Sequence, residues 1–67
     1  MISIYVNGEL REVGGDTSVL ALLQQFAVEP AQVAVEVNLS IIPREEFVTT
    51  MIANGDRVEI VHFVGGG

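Results

Sequence analysis

The sequence predicts an α+β fold in which one helix covers one face of a single mixed sheet of five strands. Apolar residues alternate with period two in several short segments and follow helical spacing in only one. The segments run in the order hairpin, helix, strand, short strand and final strand. Because neither a helix nor a sheet can bury its apolar face alone, the two must pack together.

The composition indicates one small domain without covalent cross-links. The 67 residues include no cysteine, and 49% are hydrophobic, which argues against disorder. Nine acidic residues and three arginines give a net charge of −6, which disfavours nucleic acids and anionic membranes as partners. No apolar run approaches the roughly 20 residues of a membrane span, so we expect a cytoplasmic protein.

The first two predicted strands form a hairpin over residues 2–6 and 9–13. Asn7-Gly8 between them is the strongest short hairpin signal, because a type I′ turn needs two residues that tolerate positive φ. The return strand is polar enough to lie at the edge of the sheet.

One helix follows the hairpin. Its apolar face has the spacing i, i+3, i+4 and i+7 and consists of Val19, Leu22, Leu23 and Phe26. Residues 16–18 can all cap a helix, and we expect Thr17 to do so. Pro30 cannot continue a helix, so the helix should end near Phe26.

The second half of the chain contains three further strands. The predicted elements are a strand over 33–37, a short strand over 40–42, a turn over 44–47, an ambiguous segment over 48–52, a turn over 54–56 and a last strand over 57–63. The first and last strands can then lie parallel in the middle of the sheet, which is the β-grasp (ubiquitin-like) arrangement. We expect residues 1–64 to form this domain and residues 65–67 to be a flexible glycine tail.

Several short segments carry a resemblance to a known family over the whole chain. They are Asn7-Gly8 after the first strand, Val19-x-x-Leu22-Leu23, Val33-Ala34-Val35-Glu36-Val37-Asn38, Ile41-Ile42-Pro43-Arg44 with Phe47, Gly55-Asp56-x-Val58-Glu59-Ile60, and the final Gly66-Gly67. In these segments the sequence resembles the ThiS family, the ubiquitin-like sulfur carrier proteins of thiamine biosynthesis.

The resemblance implies that the protein is a co-substrate and not an enzyme. An E1-like adenylating enzyme would use ATP to activate the Gly67 carboxylate. Sulfur from a cysteine-desulfurase-derived persulfide would then displace the adenylate and leave a thiocarboxylate, which would donate its sulfur to thiazole synthase. The carrier itself would bind no cofactor and would be a monomer when free.

The predicted site centres on the glycine tail. Gly65 and Gly66 would let Gly67 enter a partner's narrow channel, because glycine has the smallest cross-section and permits any φ and ψ. Val64 would lead into that tail. Since a disordered tail loses entropy when it enters the channel, the folded body must supply docking affinity.

We expect the body to dock through the sheet face opposite the helix. Alternation along the last strand places Val61 and Phe63 on that face. If the first strand pairs with the last, Tyr5 would lie beside them, and Ala34 would complete the patch. Exposed apolar groups next to a reactive tail form a plausible contact surface.

Other chemistry finds little support in the sequence. His62 is the only histidine, which does not make a metal site, and the adjacent Glu45 and Glu46 come with no nucleophile. Two alternatives to the thiazole carrier stay open. One is a carrier resembling the molybdopterin-synthase small subunit, which has a different acceptor. The other is a non-catalytic β-grasp interaction module.

Overall fold

The computed structural model describes residues 1–64, which form a five-stranded mixed sheet with one helix. Its elements are β1 (Ile2–Val6), β2 (Glu9–Val13), α1 (Val19–Gln25), β3 (Val33–Val37), β4 (Ser40–Ile42) and β5 (Arg57–His62). The sheet order is β2-β1-β5-β3-β4, with β1 and β5 parallel and the other neighbours antiparallel. The predicted β-grasp fold is confirmed. The predicted glycine tail, residues 65–67, lies outside the described residues, so the division into body and tail stays a prediction.

The hairpin turns where the sequence predicts. Asn7 and Gly8 both have positive φ, 51° and 84°, as a type I′ turn requires. β2 pairs only with β1 and is an edge strand of the sheet.

The helix begins one residue later than expected, because Ser18 caps it and Thr17 does not. The Ser18 hydroxyl accepts a hydrogen bond from the Ala21 N–H at 3.1 Å. Thr17 is buried, and its own hydroxyl donates to the Gly14 carbonyl at 2.8 Å. The Thr17 carbonyl accepts from the N–H of Ile52 at 2.9 Å, so the backbone up to Ser18 is engaged with another segment.

The helix ends in a Schellman motif that contains no glycine. The N–H of Val28 donates to the Leu23 carbonyl, and the N–H of Ala27 donates to the Gln24 carbonyl. Ala27 has φ 57°, a left-handed conformation that glycine adopts more easily. α1 therefore has seven residues, and no helix within residues 1–64 is long and apolar enough to cross a membrane.

A single core lies between α1 and one face of the sheet. Its buried apolar side chains are Ile4, Val6, Val13, Val19, Leu22, Leu23, Val33, Val35, Phe47, Ile52, Val58 and Ile60. The strand members alternate with residues on the opposite side, which we name the open face. Burying each such side chain contributes about 1.5–3 kcal/mol, so this face of the sheet holds the domain together.

The segment between β4 and β5 closes the core. Arg44–Glu46 forms a 3₁₀ turn, as predicted, and Phe47 is buried behind it. The ambiguous stretch makes one isolated bridge, between Met51 and Ser18. The first two N–H groups of α1 donate to carbonyls of this segment, Val19 to Thr50 and Leu20 to Phe47, which satisfies donors that a helix start leaves free.

Candidate functional site

β5 carries the chain from the middle of the sheet to the predicted tail. It pairs with β1 on one side and β3 on the other. Val58 and Ile60 are buried in the core, and this fixes the face of the sheet on which every other side chain of β5 lies. Three predicted site residues, Gly65, Gly66 and Gly67, lie outside the described residues.

The side chain of Asn7 ties β5 to the hairpin beyond the end of β1. Its Oδ1 accepts from the N–H of Ile60 at 2.7 Å, and its Nδ2 donates to the Ile60 carbonyl at 3.2 Å. The backbone N–H of Asn7 also donates to the Val58 carbonyl at 2.9 Å. A turn residue thus holds the stretch of β5 that leads to the tail.

An apolar patch lies on the open face where β5 ends. We name Val61, Phe63 and Ala34 the tail-proximal patch. Val61 and Phe63 are 57% and 59% exposed, and Ala34 pairs directly with Val61. The N–H of Phe63 donates to the Gln32 carbonyl at 2.9 Å, so the pairing continues past β5. Val64 is fully exposed. The positions of Val61, Phe63 and Ala34 agree with the sequence analysis, and their docking role stays a prediction.

Tyr5 does not lie beside the tail-proximal patch, so that expectation is wrong. Tyr5 shares the open face but pairs with Arg57, whose guanidinium carbon lies 4.8 Å from the centre of the Tyr5 ring. Val61 is four residues further along β5, roughly 13 Å away at the usual rise of a strand. Leu10, the partner of Tyr5 on β2, is also exposed. Alternation assigns a residue to a face but leaves its position along the neighbouring strand open.

Two glutamates face each other between these apolar regions. Glu36 on β3 pairs directly with Glu59 on β5, and both belong to the open face. Ile41 on β4 pairs with Glu36 and is 72% exposed. The sequence analysis missed this arrangement. Alternation over 33–37 already places Glu36 on the open face, but only the strand register shows what lies opposite.

A shallow groove of about 220 Å³ lies on the helix side of the sheet, between the hairpin and the end of α1. Its lining consists of Val6, Asn7, Glu9, Arg11, Phe26, Val28, Ile60 and His62. Arg11 pairs with Glu9 at 2.7 Å, and its guanidinium carbon lies 5.5 Å from the centre of the Phe26 ring. The polar groups of Asn7 and Arg11 are thus engaged by neighbouring residues, and the groove brings no nucleophile and base together.

The remaining candidate groups are dispersed. His62 is exposed at the end of β5, and Glu45 and Glu46 are exposed on the 3₁₀ turn. Within residues 1–64, no three His, Cys, Asp or Glu side chains are close enough to hold a metal ion. The described residues leave exposed surface on both sides of the end of β5, and the use of that surface for docking stays a prediction.

Comparison with known proteins gives a consistent result at the level of families and single sequences. The ThiS family matches residues 4–67 of the chain. The sulfur carrier protein ThiS of Bacillus subtilis is 37% identical over 65 residues, which cover 96% of this chain and 98% of that protein. A thiazole synthase of Paramagnetospirillum magneticum is 39% identical over 66 residues, or 98% of this chain. The chain spans only 20% of the length of that thiazole synthase.

Solved structures agree with the sequences. The crystal structure of a thiamine biosynthesis protein (ThiS) from Geobacter metallireducens superposes with a TM-score of 0.86 at 35% identity. The match covers 98% of this chain and all of that one. The likeness therefore includes the whole sheet and the helix that covers it.

Proposed function

The chain belongs to the ThiS family and is therefore a sulfur carrier protein of thiamine biosynthesis, and we propose that it carries the sulfur as a thiocarboxylate on Gly67. The observation that carries this proposal is the extent of the family match, which runs through the terminal glycines to residue 67. The carrier is a protein co-substrate, and its own terminus is the group that changes.

The chemistry begins with activation of the Gly67 carboxylate. A carboxylate is a poor electrophile because it has no good leaving group. An E1-like adenylating enzyme supplies one by joining the carboxylate to the AMP portion of ATP, with release of pyrophosphate. The acyl carbon can then be attacked by sulfur, and AMP leaves.

The sulfur comes from a persulfide that a cysteine desulfurase forms. Attack by the terminal sulfur displaces AMP and gives an acyl disulfide with the cysteine that carried the persulfide. A further thiol attacks the sulfur of that cysteine, which breaks the S–S bond, forms a new disulfide between the thiol and the cysteine, and releases the thiocarboxylate. The chain has no cysteine, so its own side chains offer no competing thiol. The thiocarboxylate then serves as the sulfur nucleophile in thiazole formation by thiazole synthase.

The described residues support this division of labour. The pairing of β5 with β1 and β3, together with the Asn7 bridge to Ile60, gives the tail a rigid base. The tail-proximal patch supplies exposed apolar surface next to that base. We propose that Val61 and Phe63 contact the partner enzymes and that Val64, Gly65 and Gly66 pass through the enzyme channel.

The alternatives differ in their acceptor or in the role of the tail. A carrier like the molybdopterin-synthase small subunit would pass its sulfur to a different acceptor. The ThiS family match and the thiazole synthase relative favour the thiazole branch. A non-catalytic interaction module would use the open face and leave the tail unchanged.

Intact mass spectrometry tests the proposal. The chain is incubated with an E1-like adenylating enzyme, ATP, a cysteine desulfurase with cysteine, and a reducing thiol. We expect a mass gain equal to exchanging one oxygen for one sulfur, and fragmentation should place it on Gly67. Omission of ATP should abolish the gain.

The control is a second sulfur carrier that the same enzyme preparation is known to modify. If that carrier gains sulfur and this chain does not, the thiocarboxylate proposal is wrong. A modified chain that supports thiazole formation with thiazole synthase, but no molybdopterin formation, would identify the acceptor.

A further inference from the structure

Leu39 occupies a position in the β3–β4 turn that the isolated domain does not favour. Asn38 and Leu39 have φ of 52° and 72°, so this is a two-residue turn of the type I′ class. Glycine is preferred at the second position because a Cβ is strained at positive φ. The Leu39 side chain is 88% exposed, so it gains little burial within residues 1–64 to offset the strain.

The hairpin tip is nevertheless held firmly in place. Nδ2 of Asn38 donates to Oδ1 of Asp56 at 3.0 Å, and the N–H of Arg57 donates to Oδ1 of Asn38 at 3.0 Å. The backbone N–H of Asn38 donates to the Arg57 carbonyl at 2.8 Å. Leu39 is therefore presented on a preorganised turn, which lowers the entropy lost when such a group binds a partner.

The opposed pair of Glu36 and Glu59 is a second feature that the isolated domain does not favour. Like charges directly opposite each other on antiparallel strands destabilise a sheet. Within residues 1–64, neither carboxylate forms an ion pair, because the one such pair joins Arg11 to Glu9. Arg57, the cation on the same strand, lies over the ring of Tyr5.

The glutamate pair lies beside an exposed apolar residue, and Leu39 is in the turn two residues before it. Ile41 on β4 lies directly beside Glu36 and is 72% exposed. We name Glu36, Glu59, Leu39 and Ile41 the β3–β4 surface. It offers two carboxylates that can share one cation, flanked by apolar groups that can be buried. A partner with a basic side chain and an apolar rim fits both parts.

Resting on the proposed function, we propose that the β3–β4 surface docks on the adenylating enzyme, with one arginine or lysine of the enzyme seated between Glu36 and Glu59. The enzyme must bring a carboxylate to the α-phosphate of ATP, so its active site has to carry positive charge to offset the repulsion between two anions, and the field of that charge attracts an acidic carrier to the enzyme's surface. A carrier with net charge −6 complements such a surface, and half-buried Glu36 and exposed Glu59 place two of its negative charges on the open face. Leu39 and Ile41 supply the apolar contact beside the ion pair.

The first test removes the two charges. In the double variant Glu36→Gln and Glu59→Gln, relief of repulsion should leave the melting temperature unchanged or raise it. Its Kd for the adenylating enzyme should rise roughly tenfold or more at low ionic strength, and the difference from wild type should shrink at high salt. The matched control is Glu45→Gln with Glu46→Gln, which removes the same charge from the exposed 3₁₀ turn and should bind nearly as wild type does.

The second test concerns the strained turn. Leu39→Gly should raise the melting temperature, because glycine suits the left-handed conformation, and should weaken binding to the adenylating enzyme. Leu39→Met keeps an apolar side chain at the same φ and should keep most of the affinity. If Leu39→Gly is more stable than wild type but binds the adenylating enzyme more weakly, Leu39 contributes to binding and not to folding.

The outcomes distinguish this inference from the proposed function. If wild type gains sulfur on Gly67 and the Glu36/Glu59 double variant binds no worse than its control, the docking inference is wrong and the carrier proposal stands. If binding depends on the glutamate pair but Gly67 is never modified, the docking surface stands and the carrier proposal is wrong. If the double variant loses affinity only for thiazole synthase, the assignment to the adenylating enzyme is overturned.

Discussion

At the scale of single residues, Asn7 combines a turn with an anchor for the functional strand. Its φ of 51° serves the hairpin, and its side-chain amide makes both hydrogen bonds to the backbone of Ile60. Asn7→Gly keeps the turn and loses both bonds, and we expect it to cost about 1–2 kcal/mol of unfolding free energy. Asn7→Ala should cost about 1 kcal/mol more, because alanine is strained at positive φ. Urea unfolding measures both.

Asn54→Ala is the matched control for the Asn7 variants. The Asn54 side chain accepts one hydrogen bond, from the N–H of Ser3 at 2.9 Å, at an exposed site. Its loss should cost less than about 1 kcal/mol. An Asn7→Gly variant as stable as wild type would show that the bridge to Ile60 contributes nothing to the fold.

At the level of single residues, the sequence predicted the hairpin turn correctly but not the residue that caps the start of the helix. Asn7-Gly8 follows from turn chemistry alone, and the structure confirms it. The choice of Ser18 as cap over Thr17 depends on the bridge from Ser18 to Met51 and on the Thr17 carbonyl, which accepts from Ile52. These contacts join segments more than thirty positions apart. The capping preferences of residues 16–18 depend only on the local sequence, so they cannot predict such contacts. Ala27 in a left-handed conformation is likewise a compromise that local preference argues against.

At the scale of secondary-structure elements, β5 and the segment after it carry two members of the tail-proximal patch, Val61 and Phe63. Phe63→Glu places a charge on the tail-proximal patch, which is exposed, so the fold should keep its stability within about 0.5 kcal/mol. Binding to the adenylating enzyme should weaken roughly tenfold or more, because a buried unpaired carboxylate in an interface is costly. Isothermal titration calorimetry gives the affinity, and chemical denaturation gives the stability.

Leu10→Glu is the control at the opposite edge of the open face. Leu10 is 62% exposed and Phe63 is 59% exposed, so the two substitutions change the same chemistry at similar accessibility. We expect Leu10→Glu to leave the affinity nearly unchanged. Equal losses for both variants would mean that the added negative charge weakens binding wherever it lies, and the tail-proximal patch would then have no special role.

Element order and strand faces were predictable here because the period-two and 3.6-residue patterns are each unambiguous over most of the chain. Register was not. Tyr5 and Val61 share the open face as predicted, yet the parallel pairing of Tyr5 with Arg57 separates them along β5. β1 and β5 are separated in the chain by β2, α1, β3 and β4, so no tight turn sets their offset. The offset follows instead from core packing of side chains such as Ile4 and Val58.

At the scale of the whole molecule, the buried apolar side chains of the described residues all lie between Ile4 and Ile60. The chain after β5 adds none of them up to Val64, the last described residue. A chain that ends at Val64 should therefore unfold at the same denaturant concentration as the full chain, within about 0.5 kcal/mol. Because it keeps the open face, it should also compete with the full chain for the adenylating enzyme.

The complementary variant keeps the tail and blocks its end. One alanine added after Gly67 leaves both the core and the open face unchanged, so stability and binding to the adenylating enzyme should stay close to those of the full chain. The added alanine moves the terminal carboxylate one residue beyond Gly67. It also adds a methyl group, which a channel that admits only glycine would exclude. We expect sulfur transfer to fall below detection by intact mass, whereas loss of binding in the same variant would place docking affinity in the tail itself and overturn the division between a docking body and a reacting end.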